Sequence, residues 1–217
     1  MFSYALMLSN GDGINENKEL ASQYYKRAAD QGHVDSMVNY AIIVEKGVGV
    51  EINKREAAHY YKLAADQGDS DAMFNYAVLL SEGDGIEKNN REAAKYYKLA
   101  ADRGNVESML NYAFMLTTGD GVEINKREAL RYCKQAAEQG NSQAMFSYAF
   151  LLDKGDGFET NKKEAAKYYK LSADSGNSGA MFNYAIMLDK GDGIKINKNV
   201  ASQYYKKSAD QGHISGM

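Results

Sequence analysis

The 217 residues include 26 basic and 29 acidic side chains, a net charge of −3, and 44% of them are hydrophobic, enough apolar surface for a substantial buried interior. No basic block supplies the footprint of a nucleic-acid binder, no apolar run approaches the roughly 18 residues that cross a bilayer, and the lone Cys133 precludes an intrachain disulfide framework. The start M-F-S-Y-A-L-M-L-S-N-G has neither the basic flank nor the small-residue cleavage site of a secretory signal, so a cytoplasmic location without membrane insertion is expected.

Met1 opens the first predicted element, and methionine returns at 37, 73, 109, 145, 181 and 217 with its neighbours in the same register. This spacing predicts one domain, 1–217, built of copies 1–36, 37–72, 73–108, 109–144, 145–180 and 181–216, with Met217 opening a truncated seventh. Each copy begins with a helix, A. Asp69, Asn105, Asn141 and Asn177 are good N-caps, and D-A-M-F-N-Y-A-V-L-L-S-E reads as about three turns ending at Gly83, where glycine takes the left-handed conformation.

A glycine-rich loop follows, S-E-G-D-G-I-E-K-N in the third copy. It invites phosphate, calcium or simple turn readings. Its glycines recur as Gly11/Gly13, Gly47/Gly49, Gly83/Gly85, Gly119/Gly121, Gly155/Gly157 and Gly191/Gly193, whereas a ligand site is normally built once per domain. Val48 replaces the middle acid in the second copy, and neither EF-hand nor Walker spacing is present, so a structural turn is expected.

Helix B comes next. Asn53, Asn89, Asn125 and Asn161 are each followed three residues later by glutamate (Glu56, Glu92, Glu128, Glu164), a capping box expected to place the carboxylate on the cap amide. R-E-A-A-K-Y-Y-K-L-A-A-D then runs to Gly104, with stops at Gly32, Gly68, Gly140, Gly176 and Gly212. So short a connection makes successive helices antiparallel. No strand pattern occurs. Helix B has one apolar stripe (Ala57, Tyr60, Tyr61, Ala64) with Glu56, His59 and Lys62 outside it, whereas helix A (Met37, Val38, Tyr40, Ala41, Ile42, Ile43, Val44) is apolar nearly all round. Helix A is therefore expected as an inner layer covered on several sides, buried by stacking copies into a solenoid.

A-M-F-N-Y-A-V-L-L-S-E-G-D-G-I-E-K-N-N-R-E-A-A-K-Y-Y-K-L-A-A-D-R-G, residues 72–104, resembles the Sel1-like repeat, an α/α relative of the tetratricopeptide repeat, in its G-x-G loop, its E-A-x-x-Y-Y-K-x-A-A core and its closing glycine. The match covers all six copies. Departures are Tyr76-Ala77 where Leu-Gly is usual, Tyr96 where Trp is common, and a missing proline after the loop. The resemblance implies an all-α, right-handed α/α solenoid of six 36-residue helix-turn-helix repeats. It also implies a non-catalytic scaffold or adaptor whose partner is a protein or peptide.

In solenoids of this type helix A lines the concave surface, and one polar position recurs on it: Ser3, Asn39, Asn75, Asn111, Ser147 and Asn183. An amide or hydroxyl there bonds a peptide backbone without regard to its side chains. Four residues on stand Met7, Ile43, Leu79, Met115, Leu151 and Met187, and further along Asn10, Lys46, Glu82, Thr118, Lys154 and Lys190. Together they suggest an adaptable peptide groove with a variable, selective end. The alternative is that the asparagines bond the next repeat and the methionine row is core.

No enzyme is expected, and no cofactor. His33, His59 and His213 have no H-x-x-x-H or cysteine partner, Cys133 occupies a core tyrosine position of helix B, and the acids are spread one per repeat. Two other roles stay open. One is structural self-association, end to end, through repeat faces that lack polar capping copies; the other is a regulatory repeat region of a larger enzyme.

Overall fold

A computed structural model describes residues 1–155 and 159–212; Gly157, His213 and Met217 lie outside them. Twelve helices and no strand occur among the described residues. Helix A of successive copies is α1 (Phe2–Asn10), α3 (Val34–Lys46), α5 (Ser70–Glu82), α7 (Val106–Thr118), α9 (Ser142–Lys154) and α11 (Ser178–Lys190). Helix B is α2 (Lys18–Ala29), α4 (Lys54–Asp66), α6 (Asn90–Ala101), α8 (Lys126–Glu138), α10 (Lys162–Asp174) and α12 (Lys198–Asp210). The chain forms two compact units, Met1–Ser108 with Asp120–Val122, and Met109–Gly119 with Glu123–Met217.

The caps form where their residue types demand. Asp69, Asn105, Asn141 and Asn177 each accept from the backbone N–H three residues on, at 2.7 to 2.9 Å. His33 does the same for α3 through its imidazole Nδ1, 3.2 Å from the Ser36 amide. Helix-B caps differ from the expected box in one respect. Asn53 Oδ1 accepts from the Glu56 amide at 3.1 Å, but the Glu56 carboxylate takes its bond from the Asn53 side-chain Nδ2, not from the cap amide. That backbone amide is already committed: Asn53 N–H donates to the Val44 carbonyl at 2.7 Å, as Asn89 does to Leu80 at 2.8 Å and Asn161 to Leu152 at 3.0 Å. The cap thus ties the start of helix B to an otherwise orphaned carbonyl near the end of helix A.

The loop glycine is a point of close approach between copies. A Cβ on Gly85 would stand 2.5 Å from Lys54 Cβ and 2.9 Å from the Lys54 backbone, and one on Gly193 would stand 2.5 Å from the Lys162 carbonyl carbon. The loops at Gly49, Gly85, Gly121 and Gly193 rest on the first turn of the preceding helix B. The middle acid completes the clasp, pairing Asp84 with Lys54, Asp120 with Asn90 and Asp192 with Lys162. Where Val48 replaces that acid, Lys18 pairs with Glu16 instead.

Buried alanines let the helices approach. Ala57, Ala64, Ala93, Ala100, Ala165 and their counterparts are sealed from solvent, and helix B keeps one wet face, with His59 exposed. Helix A departs from the all-round burial expected of it. Its interior arc is buried (Met37, Tyr40, Ala41, Ile43 and Val44 in α3), but Ile42 and Val38 are only half-buried and Phe114, at the position of Ile42, is 63% exposed. Helix A has a covered side and, opposite it, an apolar face that is only partly covered.

Gly85→Ala and Gly68→Ala both meet a positive φ, +78° and +99°, costing about 1 kcal/mol each. Only at Gly85 does the new methyl group collide with backbone, adding about 1–3 kcal/mol. Urea denaturation is expected to show the larger loss for Gly85→Ala; equal losses would remove the clasp from the account.

Candidate functional site

The open face of helix A is a stack at i, i+4 and i+8. In α3 it is Val38, Ile42 and Lys46; in α5 Phe74, Val78 and Glu82; in α9 Phe146, Phe150 and Lys154; in α11 Phe182, Ile186 and Lys190. Spacing by four keeps these side chains on one face. The row through Leu6, Ile42, Val78, Phe114, Phe150 and Ile186 was not singled out by the sequence, because an all-apolar helix carries no phase to mark its open side.

The sequence-derived positions separate into three groups. On the ladder, Ser3 and Asn111 are exposed while Asn39, Asn75, Ser147 and Asn183 are half-buried at the edge of the open face. Asn39 Nδ2 donates to the Asp35 carbonyl of its own helix at 2.7 Å. The end positions Lys46, Glu82, Lys154 and Lys190 are exposed, as are Asn10 and Thr118. Four positions of the methionine row are corrected: Ile43, Leu79, Met115 and Met187 are buried in the core, whereas Leu151 is half-buried and, with Ser147, lines a groove, and Met7 is exposed. Four residues advance a helix by about 40° beyond a full turn. That rotation carries this row past the ladder and under helix B.

In the second unit the open face deepens into a groove of about 400 Å³ among α7, α8 and α9, lined by Leu110, Phe114, Cys133, Phe146 and Phe150, with Lys126 and Lys154 beside them. Lys154 Nζ lies 5.4 Å from the centre of the Phe150 ring. Cys133 forms part of the floor, and burial pushes its thiol up to about 12, so it is protonated at neutral pH and a poor nucleophile.

A connected titratable cluster lies elsewhere, on the first unit. Lys26 Nζ donates to Glu56 Oε1 at 2.8 Å and to the Tyr60 hydroxyl at 2.9 Å, and Tyr40 donates to the same carboxylate at 2.9 Å. The Lys26 hydrogen bond, against partial burial, holds the Glu56 carboxyl below its ordinary range, while burial and the bond to Glu56 push the Tyr40 hydroxyl up to about 12. Every member has a structural partner, and the cluster ties α2 to α3 and α4. Among the described residues no group of His, Cys, Asp and Glu is arranged to hold a metal ion, and no helix is long and apolar enough to cross a membrane.

With this geometry in view, the Sel1 repeat profile matches residues 1–33, 34–69, 70–105, 106–141, 142–177 and 178–213. The chain belongs to the Sel1 repeat family. The α/α solenoid of this Sel1 chain is shared with a protective antigen of uropathogenic Escherichia coli displaying an SLR fold, at TM-score 0.92 and 27% identity. That similarity covers 98% of this chain but only 45% of the Escherichia coli protein, so the chain spans less than half of that relative. A Sel1 repeat protein from Oxalobacter formigenes aligns at TM-score 0.90 and 28% identity over 99% of this chain and 87% of its own. No curated protein sequence matches the chain. Sel1 repeat folds are generally protein–protein interaction scaffolds and typically non-catalytic.

Two outcomes follow from the titratable groups of this Sel1 chain. Glu56, depressed by Lys26, contributes stability that is complete at neutral pH and is lost as pH falls through its lowered folded-state value. Carboxyl-carbon NMR is expected to place Glu56 below the ordinary value of about 4.3 and to return it upward in Lys26→Met; an unmoved titration would sever the pair. Cys133 is expected to resist iodoacetamide at pH 8 in the folded protein and to react once denaturant is added. Labelling at the rate of a free thiol would contradict its burial.

Proposed function

We propose that this Sel1 chain is a non-catalytic interaction module that holds a segment of a partner protein against the open face of helix A, separately in each unit. The observation that carries the proposal is the apolar row left partly uncovered there, with Phe114 63% and Phe150 42% exposed while, among the described residues, most other aromatic rings except Tyr4 are packed. Exposed apolar side chains aligned on one face mark an interaction surface more often than isolated ones do. The ladder borders this row, with Ser3, Asn39 and Asn75 in the first unit and Asn111, Ser147 and Asn183 in the second. Amides and hydroxyls at that border pair with the backbone of a bound segment, and the apolar row takes its side chains. The exposed end residues Lys46, Glu82, Lys154 and Lys190 differ in charge from copy to copy and supply selectivity.

Photo-crosslinking tests the reading. Benzoylphenylalanine placed at Ile42, Asn75 or Ile186 is expected to capture partner protein from source-cell lysate, whereas the same group at His59, Lys95 or Lys167 on helix B is not. Adducts formed equally from both helices, or from helix B alone, would refute the assignment of the face.

A further inference from the structure

We infer that the groove among α7, α8 and α9 takes one bulky apolar side chain of a partner peptide that carries a carboxylate beside it. The inference rests on the interaction reading above and adds the chemistry of the occupant. It begins with a departure confined to the fourth copy. In four other copies a phenylalanine near the start of helix A meets a helix-B tyrosine: Phe2 with Tyr25, Phe74 with Tyr97, Phe146 with Tyr169 and Phe182 with Tyr205, at 5.6 to 6.0 Å between ring centres. The second copy keeps the tyrosine, Tyr61, opposite Val38. In the fourth copy both rings are absent, replaced by Leu110 and Cys133, and both replacements line the groove.

Removing two rings from a packed helix pair leaves space that neighbours refill only in part. Here the space opens to the surface between Phe114 and Phe150, whose rings, with that of Tyr4, are the exposed helix-A aromatics. A volume of about 400 Å³ is in the range of sites that enclose a small apolar group. The walls offer rings and aliphatic side chains, and the floor offers a protonated thiol with no charge to repel an apolar guest.

Charge selects what accompanies that guest. Among the described residues that line the groove there is no carboxylate, and the cation at its rim is Lys154. Lys154 stands at the exposed end of α9 with its ammonium over the Phe150 ring, where a carboxylate neighbouring the anchor would meet it. An acidic flank is therefore favoured and a basic flank disfavoured, with the preference weakening as salt is raised.

The experiment uses fluorescein-labelled Gly/Ser peptides of twelve residues carrying a central Phe flanked by Glu, the same Phe flanked by Lys, or a central Ala flanked by Glu, titrated with the full chain by anisotropy. The Phe/Glu peptide is expected to bind about tenfold more tightly than either control. Lys154→Glu is expected to reverse the preference between Glu and Lys flanks, and Phe114→Ser to weaken the Phe peptides alone; both residues are exposed, so neither change disturbs the core. Cys133→Tyr, which restores the residue found in the other copies, is expected to abolish binding by filling the groove. Equal binding of all three peptides, or a Phe/Glu affinity indifferent to Lys154→Glu and Phe114→Ser, would overturn the inference. If affinity instead falls only in Asn183→Ala, outside the groove, the occupant is wrong while the wider reading of the helix-A face survives. If crosslinking also fails on that face, both fall.

Discussion

A tyrosine on helix B that is bonded in two directions sets the geometry of this chain. Within its own copy its ring stands edge-on to the helix-A tyrosine, as in Tyr40 with Tyr60, Tyr76 with Tyr96 and Tyr148 with Tyr168, at 4.8 to 4.9 Å between centres and nearly perpendicular. Its hydroxyl reaches back to the carboxylate that closes the preceding helix B: Tyr60 to Asp30, Tyr96 to Asp66 at 3.1 Å, and Tyr204 to Asp174 at 2.7 Å. One side chain thereby fixes the spacing inside a copy and the register between copies. An edge-to-face ring pair adds about 0.5–1.5 kcal/mol beyond its buried area, and a charge-assisted hydroxyl bond contributes a similar amount or more. Repetition of that pair lets a chain without a central core hold its shape within each unit.

The remaining contacts follow from this spacing. Once helices A and B are held a tyrosine pair apart, the alanine stripe of helix B can close on helix A, and the cap amide of Asn53 comes within bonding distance of Val44. The loop is then short enough to lie on the preceding copy, where only glycine clears the backbone. All of these contacts lie on one side of helix A. The opposite side is covered only in part, by helix-B tyrosines that meet Phe74, Phe146 and Phe182, and Phe114 and Phe150 beyond them stay exposed.

Much of this was legible in the chain itself. The 36-residue period, the Asp and Asn caps, the left-handed glycines and the helix-B stripe each follow from a local rule that tertiary structure had no cause to override. The capping box was half legible, since Asn53 to Glu56 spacing specifies the side-chain bond but not that the cap amide is claimed by the other helix. Helix A was the hard case. Residues such as Met37, Ile42, Ile43 and Val44 are all apolar, so composition cannot tell the covered arc from the open one. The boundary falls between the ladder and the methionine row, a difference of about 40° that no apolar pattern resolves. Nor could the exchange of Tyr for Cys133 reveal a groove, because its effect depends on Leu110 being small in the same place.

That exchange shows what the closed bonding of each copy permits. The fourth copy gives up an aromatic pair yet keeps its own edge-on tyrosines, Tyr112 and Tyr132, 5.2 Å apart, and its own helix-B cap at Asn125. Damage to one pair is not passed along the array. A protein assembled this way can diversify one segment while its neighbours stay under unchanged structural demands, so recognition can drift at one copy without renegotiating the fold.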